Sequence, residues 1–252
     1  MGSEMCIRDR YIELHDAYKS ISESFTHAGA ENECKVEIKY IHAEQVSRQS
    51  RDELLKSLDG ILVAPGFGSR GFEGKIEAAG YARERNIPYL GICLGMQCAV
   101  VEFARNVLGM ANANSAEMNR KTPYPVIDLM EEQKSITAKG GTMRLGAYPC
   151  DLKKGTKAWQ AYGTDHVAER HRHRYEFNDR FLKDFESHGM IPVGINPDTG
   201  LVEIMELTDH PWFIGVQFHP EYRSTVLKPH PLFVHFVKAA MEFSIEKQKN
   251  KS

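Results

Sequence analysis

No run in this sequence approaches the roughly 18 apolar residues of a membrane-spanning helix. The opening MGSEMCIRDR lacks the apolar core of a secretory signal. Neither sign of charge is in excess: 32 Lys and Arg face 34 Asp and Glu, a net of −2. That balance argues against a nucleic-acid binder, which carries a basic surplus. There is no internal repeat and no low-complexity tract. Cysteine is scarce, five residues at positions 6, 34, 93, 98 and 150. An odd count at irregular spacing points to reduced thiols in a cytoplasmic setting and leaves room for one thiol with a special task. What remains is an ordinary globular mixture, 42% apolar and 26% charged. At 252 residues the chain is long enough to bury about 70–75% of its unfolded surface.

The first half alternates strand and helix signals. Asp16 is placed to cap a helix through AYKSISESFTHA that Gly29 would stop. CKVEIKYI reads as a strand, DELLKSL as a short helix, and GILVAP and IPYLGIC as buried strands. FEGKIEAAGYARERN and LGMQCAVVEFARNVLG are helical. This alternation predicts right-handed βαβ units and a mostly parallel central sheet flanked by helices, an α/β fold. Residues 110–165 are turn-rich, with NANS, TPYP, KGG and YPCDLKKG, and short strands near MRLGAYPC and HVAERHRH add a small antiparallel section. LVEIMEL and PWFIGVQF are strands, and PLFVHFVKAAMEFSIEKQ closes the chain as an amphipathic helix before a polar tail. The helix after residue 16 is preceded by no Val/Ile-rich run, so the first strand of the sheet is expected to be missing or replaced by a poor substitute.

Three segments carry chemistry. Gly91-Ile92-Cys93-Leu94-Gly95 is G-x-C-x-G where a buried strand meets a helix, the thiol form of a nucleophile elbow. Small residues at 91 and 95 allow close approach of strand and helix, the sharp turn exposes Cys93, and the new helix's amides favour its thiolate. Cys98 lies five residues on, and at about 100° per residue it faces elsewhere and reads as core, not as a metal partner. Gly66-Phe67-Gly68-Ser69-Arg70-Gly71 matches the dinucleotide fingerprint, but the next strand ends at Cys93 instead of an acid. The amides of Gly66 and Gly68 can instead face a developing oxyanion. In QFHPE, Pro220 holds the backbone extended, so His219 and Glu221 project together as base and orienter for a Cys nucleophile. RHRHRY alternates, with Arg170, Arg172 and Arg174 on one side and His171 and His173 on the other. It reads as an anion-binding or solvated face whose Arg could grip a carboxylate.

Together GICLGMQ, FGSRGFEGK and QFHPE resemble the class I, triad-type glutamine amidotransferases. DAYKS, NANSAEMN, GGTMRLG, RHRHRYEFN, GLVEIMEL and HPWFIGVQFHPE are similar to the C-terminal glutaminase domain of the CTP synthase family in particular. The resemblance covers residues 11–243 and implies a flavodoxin-like amidotransferase domain there, with 244–252 a polar tail. It implies that Cys93 attacks the side-chain amide of L-glutamine, that His219 is general base and then acid, and that Glu221 orients it. Gly66 and Leu94 would supply the oxyanion hole. Gly66, Leu94, Gly95, Met96, Gln97, Glu117 and Arg174 would contact glutamine, with Glu117 at its α-ammonium.

No metal or cofactor is implied for this domain. ATP, Mg²⁺ and UTP would belong to an N-terminal synthetase domain absent from this chain, GTP would stimulate the coupled reaction, and the full enzyme would be a cytoplasmic homotetramer with no nucleic-acid or membrane partner. This chain alone could not make CTP. Where the family has an apolar strand ending in G-K-Y, this chain has MGSEMCIRDR, so residues 1–10 read as a leader foreign to the fold that makes neither strand nor cap. Two alternatives stand beside this reading: a free-standing γ-glutamyl cysteine hydrolase, and an inactive truncated fragment.

Overall fold

GILV and YLGI, the two short apolar runs, become neighbouring parallel strands, β3 (Gly60–Val63) and β4 (Tyr89–Ile92), paired Ile61 to Tyr89 and Val63 to Gly91. The computed structural model describes residues 2–8, 18–129 and 143–250, with side chains from residue 18 onward. Successive residues of β3 enter opposite cores: Ile61 and Val63 join one apolar cluster, Leu62 and Ala64 the other. A strand covered on both faces has no polar side to show, which is why its sequence does not alternate.

Among the described residues the main sheet has nine strands in the order β2-β1-β3-β4-β12-β11-β10-β7-β8. β1 (Gly2–Arg8), β2 (Lys35–Ile41), β3, β4 and β12 (Phe213–Val216) run parallel. β11 (Val202–Leu207), β10 (Met190–Ile195), β7 (Arg144–Leu152) and β8 (His166–His173) continue the same sheet antiparallel. A second sheet joins β5 (Asn114–Ser115), β6 (Pro125–Asp128) and β9 (Glu176–Phe177). The KGG turn lies outside the described residues.

β1 corrects the expectation that the first ten residues make no strand. Gly2–Arg8 fills the slot between β2 and β3, with Met5 opposite Gly60 and Arg8 opposite Val63. Ladder hydrogen bonds belong to the backbone, and a slot with a strand on each side can be filled by a segment poor in β-branched residues. Of the two possibilities for the first strand, the poor substitute is the one found.

Helices α1 (Lys19–Glu31) and α7 (Pro231–Lys249) cover one face, where Phe25 meets Phe233 edge-on at 5.3 Å. The short α2 (Arg51–Leu55), with α3 (Phe72–Glu84) and α4 (Leu94–Asn106), covers the other, and the short α5 (Lys157–Tyr162) and α6 (Leu182–Ser187) precede α7 in the chain. Asp16 lies outside the described residues, and Gly29 does not stop α1, which continues to Glu31. A Cβ at Gly29 would sit 2.8 Å from the Cys34 carbonyl oxygen, so glycine here serves close approach, and the chain turns at Glu33 with φ 52°. Residues 244–249 of the expected tail continue α7, and Lys247 Nζ reaches the carbonyls of Ser57 and Leu58. No helix among the described residues is long and apolar enough to cross a membrane.

Candidate active site

β4 ends at Ile92 and α4 begins at Leu94, so the whole reversal falls on Cys93, whose φ is 51° and ψ −102°. A non-glycine residue in this region costs on the order of 1–3 kcal/mol and persists only where the surroundings impose it. They do so by contact. A Cβ at Gly91 would lie 2.7 Å from the carbonyl carbon of Gly95, and one at Gly95 would lie 2.1 Å from the Val63 carbonyl oxygen. The Cys93 amide donates to Val216 O at 2.7 Å, and the buried Tyr89 hydroxyl donates to Gly95 O at 2.9 Å. Tyr89→Phe removes that second tie and is expected to lower stability by about 1 kcal/mol in a urea titration. The elbow does not expose the thiol as expected: Cys93 is 3% accessible and is reached only through a pocket. Gly66 and Phe67 of the glycine-rich loop line the same pocket as the thiol. Cys98 is fully buried core, as its angle on α4 requires. Cys34, Cys93, Cys98 and Cys150 are free thiols.

That pocket is lined by Gly66, Phe67, Cys93, Leu94, Gln97, Glu117, His173, Arg174 and Tyr175. Five positions expected at a glutamine site therefore converge on the thiol: Gly66, Leu94, Gln97, Glu117 and Arg174. The other two lie beneath it, Gly95 against Val63 and Met96 in the core against Gly215. Phe67, His173 and Tyr175 were not singled out as site residues by the sequence. The alternation of RHRHRY held the signal for His173, because it puts His171 and His173 inward and Arg170 and Arg172 outward. Burial raises the Glu117 carboxyl above its ordinary range, while a Gly68 backbone hydrogen bond and the Arg174 charge work against the shift.

His219 follows β12, its amide held by Arg170 O at 2.8 Å. The expected extended backbone is not what pairs it with Glu221. Pro220–Tyr222 is a 3₁₀ turn, which brings the carboxylate back to the Nδ1 edge of the ring. A proline at the first position of such a turn, with φ already near −65°, favours this outcome. His219 Nδ1 meets Glu221 Oε1 at 2.7 Å with both residues buried, and Tyr222 stacks on the imidazole at 4.9 Å and 9°. Nε2 is buried with no partner of regular hydrogen-bond geometry among the described residues. Burial alone would lower the His219 pKa. Hydrogen bonding and charge from Cys93 and then from Glu221 outweigh it and push the pKa up to about 11. The sulfur and the carboxylate thus favour the protonated ring.

Behind the pocket lies a buried ionic cluster. Arg144 Nη1 and Nη2 donate to Glu176 Oε1 at 3.0 Å and Glu203 Oε1 at 2.8 Å. His173 Nε2 meets the same Glu176 oxygen at 2.8 Å. These contacts tie the pocket wall to strands of both sheets.

The Cys93 elbow after β4, the His219–Glu221 pair after the adjacent parallel strand β12 and the glycine-rich loop after β3 thus lie together at the carboxyl ends of three neighbouring strands. The profile of the family "Glutamine amidotransferase class-I" matches residues 13–239, and the chain belongs to that family. Within it, the chain is similar to CTP synthases. It is 65% identical over 235 residues to the CTP synthase of Cytophaga hutchinsonii, and 61% identical over 241 residues to that of Christiangramia forsetii. These alignments cover 93% and 96% of this chain but only 44% of each relative, so the chain spans less than half the length of the CTP synthases it matches. It superposes on the glutaminase domain of the Trypanosoma brucei enzyme, solved with bound acivicin, with a TM-score of 0.89 at 35% identity, covering 95% and 94% of the two chains.

Proposed function

We propose that this chain hydrolyses L-glutamine to glutamate and ammonia through a thioester on Cys93. The observation that carries the proposal is Cys93 on a pocket walled by Gly66, Leu94 and Glu117, with the His219–Glu221 pair beside its sulfur. The imidazolium beside the sulfur favours thiolate, the form that attacks. Attack on the side-chain carbonyl carbon forms a C–S bond and an oxyanion, which the N–H groups of Gly66 and Leu94 would hold. Collapse breaks the C–N bond, and His219 gives its proton to the departing nitrogen, releasing ammonia. Neutral His219 then takes a proton from water, hydroxide attacks the thioester, and thiolate leaves as glutamate forms. Glu221 keeps Nδ1 protonated, so that Nε2 carries the transferred proton. Glu117 would pair with the substrate's α-ammonium and Arg174 with its carboxylate.

The similarity to CTP synthases extends the proposal. The ammonia would aminate UTP at a synthetase domain using ATP and Mg²⁺, with GTP stimulating the coupling in a homotetrameric enzyme. The trypanosomal domain binds acivicin, which supplies a test. Acivicin is expected to add its mass to the peptide carrying Cys93, glutamine is expected to protect that peptide, and ammonia release is expected to fall in step. Labelling that ignores glutamine, or that falls on another thiol, would sink the proposal. Faster turnover of γ-glutamyl peptides than of glutamine would move the reading to a γ-glutamyl cysteine hydrolase.

A further inference from the structure

Gln217 lies immediately after β12, is fully buried, and is neither one of the triad residues nor part of the pocket lining. Its backbone amide is fixed by Glu203 O at 2.9 Å. Its carboxamide Nε2 lies 3.7 Å from Cys93 Sγ, within hydrogen-bond range for sulfur, and its Oε1 lies 3.3 Å from Gln97 Nε2. Gln97 Nε2 also lies 3.1 Å from the backbone carbonyl of Tyr175.

An amide's oxygen and nitrogen are assigned from their partners, and here one partner decides the whole chain. The Tyr175 carbonyl can only accept, so Gln97 must present its nitrogen to it. The same nitrogen faces Gln217, so Gln217 must present its oxygen there. The Gln217 NH₂ is then left directed at the sulfur. Turning Gln217 over would set two donors together, and turning Gln97 over as well would set its oxygen against the Tyr175 carbonyl.

We infer that Gln217 is a further catalytic residue of the same reaction, donating an N–H to Cys93 Sγ and supporting its thiolate throughout the cycle. The inference rests on the reading of Cys93 as nucleophile and adds to it. His219 gives up its proton with ammonia and regains one from water before thiolate leaves, so its support for the sulfur comes and goes. The Gln217 carboxamide does not titrate, so its donor faces the sulfur at every stage. Hydrogen bonds to a charged acceptor are the stronger kind, and losing one here should cost about tenfold in thiolate population.

The test is the pH profile of Cys93 alkylation by iodoacetamide, followed by peptide mass, in wild type, Gln217→Met and Gln217→Glu. The titratable and charged groups around Sγ are His219 and Glu221 after β12, with Glu117, His173 and Arg174 across the pocket. These five are the same in the three proteins; Gln217→Glu adds a carboxyl beside the sulfur, so Gln217→Met is the variant that reads loss of the donor alone. Both variants are expected to alkylate about tenfold more slowly near neutral pH, with the gap closing in strong alkali. Gln217→Glu keeps shape and the oxygen facing Gln97, so it reports even where Gln217→Met folds poorly, and it should be affected at least as strongly. Variants that fold and alkylate with the wild-type profile would overturn the inference. Altered alkylation in the variants, beside a wild-type chain that releases no ammonia from glutamine, would leave the Gln217 hydrogen bond to Cys93 standing and remove both the proposed function and the catalytic role of Gln217 in it.

Discussion

Cys93→Ala is expected to bring ammonia release from glutamine down to background, a loss of roughly 10⁴- to 10⁶-fold, because no other group in the pocket can form the thioester. His219→Asn should cost about 10³- to 10⁴-fold, since acid and base catalysis fail together. The Cys93→Ala–His219→Asn double variant should be no worse than Cys93→Ala alone, because the two groups act as one unit. Initial rates with a coupled glutamate assay decide this, and independent, multiplying losses would contradict the arrangement.

His219 also makes a pH prediction of known sign. Its pKa in the fold is about 11 against an ordinary 6.5. A raised pKa means that the folded state holds the proton more tightly, so the stabilisation is complete below about 6.5 and is lost as pH rises through about 11. The wild type is therefore expected to lose stability relative to His219→Asn across that window, as read from urea midpoints. A gap that widens with pH would contradict the assigned pairing with Cys93 and Glu221.

Much of the site was legible because it rests on local rules. Gly91, Cys93 and Gly95 each have a steric reason to stand where a buried strand turns into a helix, and Gly66 lies on the loop after the neighbouring strand. His219 and Glu221 were found together, although the geometry inferred for them was extended where the chain makes a 3₁₀ turn. What stayed hidden depends on non-local pairing. β1 forms because two strands flank it, and its own side chains gave no sign of that. The antiparallel strands β10, β11, β7 and β8 extend the main sheet, which no turn signal announces. Gln217 reads as one polar residue in an apolar run until the fold sets it beside Cys93 and Gln97. The Arg144 cluster joins residues 32 and 59 positions apart, beyond any pattern of helix or strand period.

Arg144→Met is expected to be the most damaging single change to stability outside the elbow, by about 3–5 kcal/mol near neutral pH. Arg144 is 8% exposed and lies over the Tyr148 ring at 4.5 Å while it bonds Glu176 and Glu203. The remaining carboxylate oxygens, Glu176 Oε2 and Glu203 Oε2, are buried, the second 3.5 Å from His171 Nε2. Removing the guanidinium thus leaves two buried acids without their shared donor, which costs more than the loss of one exposed ion pair. Burial pushes Glu203 up to about 7 even with Arg144 pulling it down. Its contribution to stability is therefore fully present below its ordinary 4.5 and lost as pH rises through about 7. Without Arg144 the carboxyl should titrate higher still, and the variant should go on losing stability after the wild type has levelled off. The gap between the two proteins is expected to be smallest in mild acid and to widen above neutrality. Adding Glu203→Gln to Arg144→Met should reduce that pH dependence, because one of the two buried acids is then gone. Urea titrations in acid, neutral and alkaline buffer test the point, and a gap that stays constant with pH would show that Arg144 acts through packing on Tyr148 instead of through its charge.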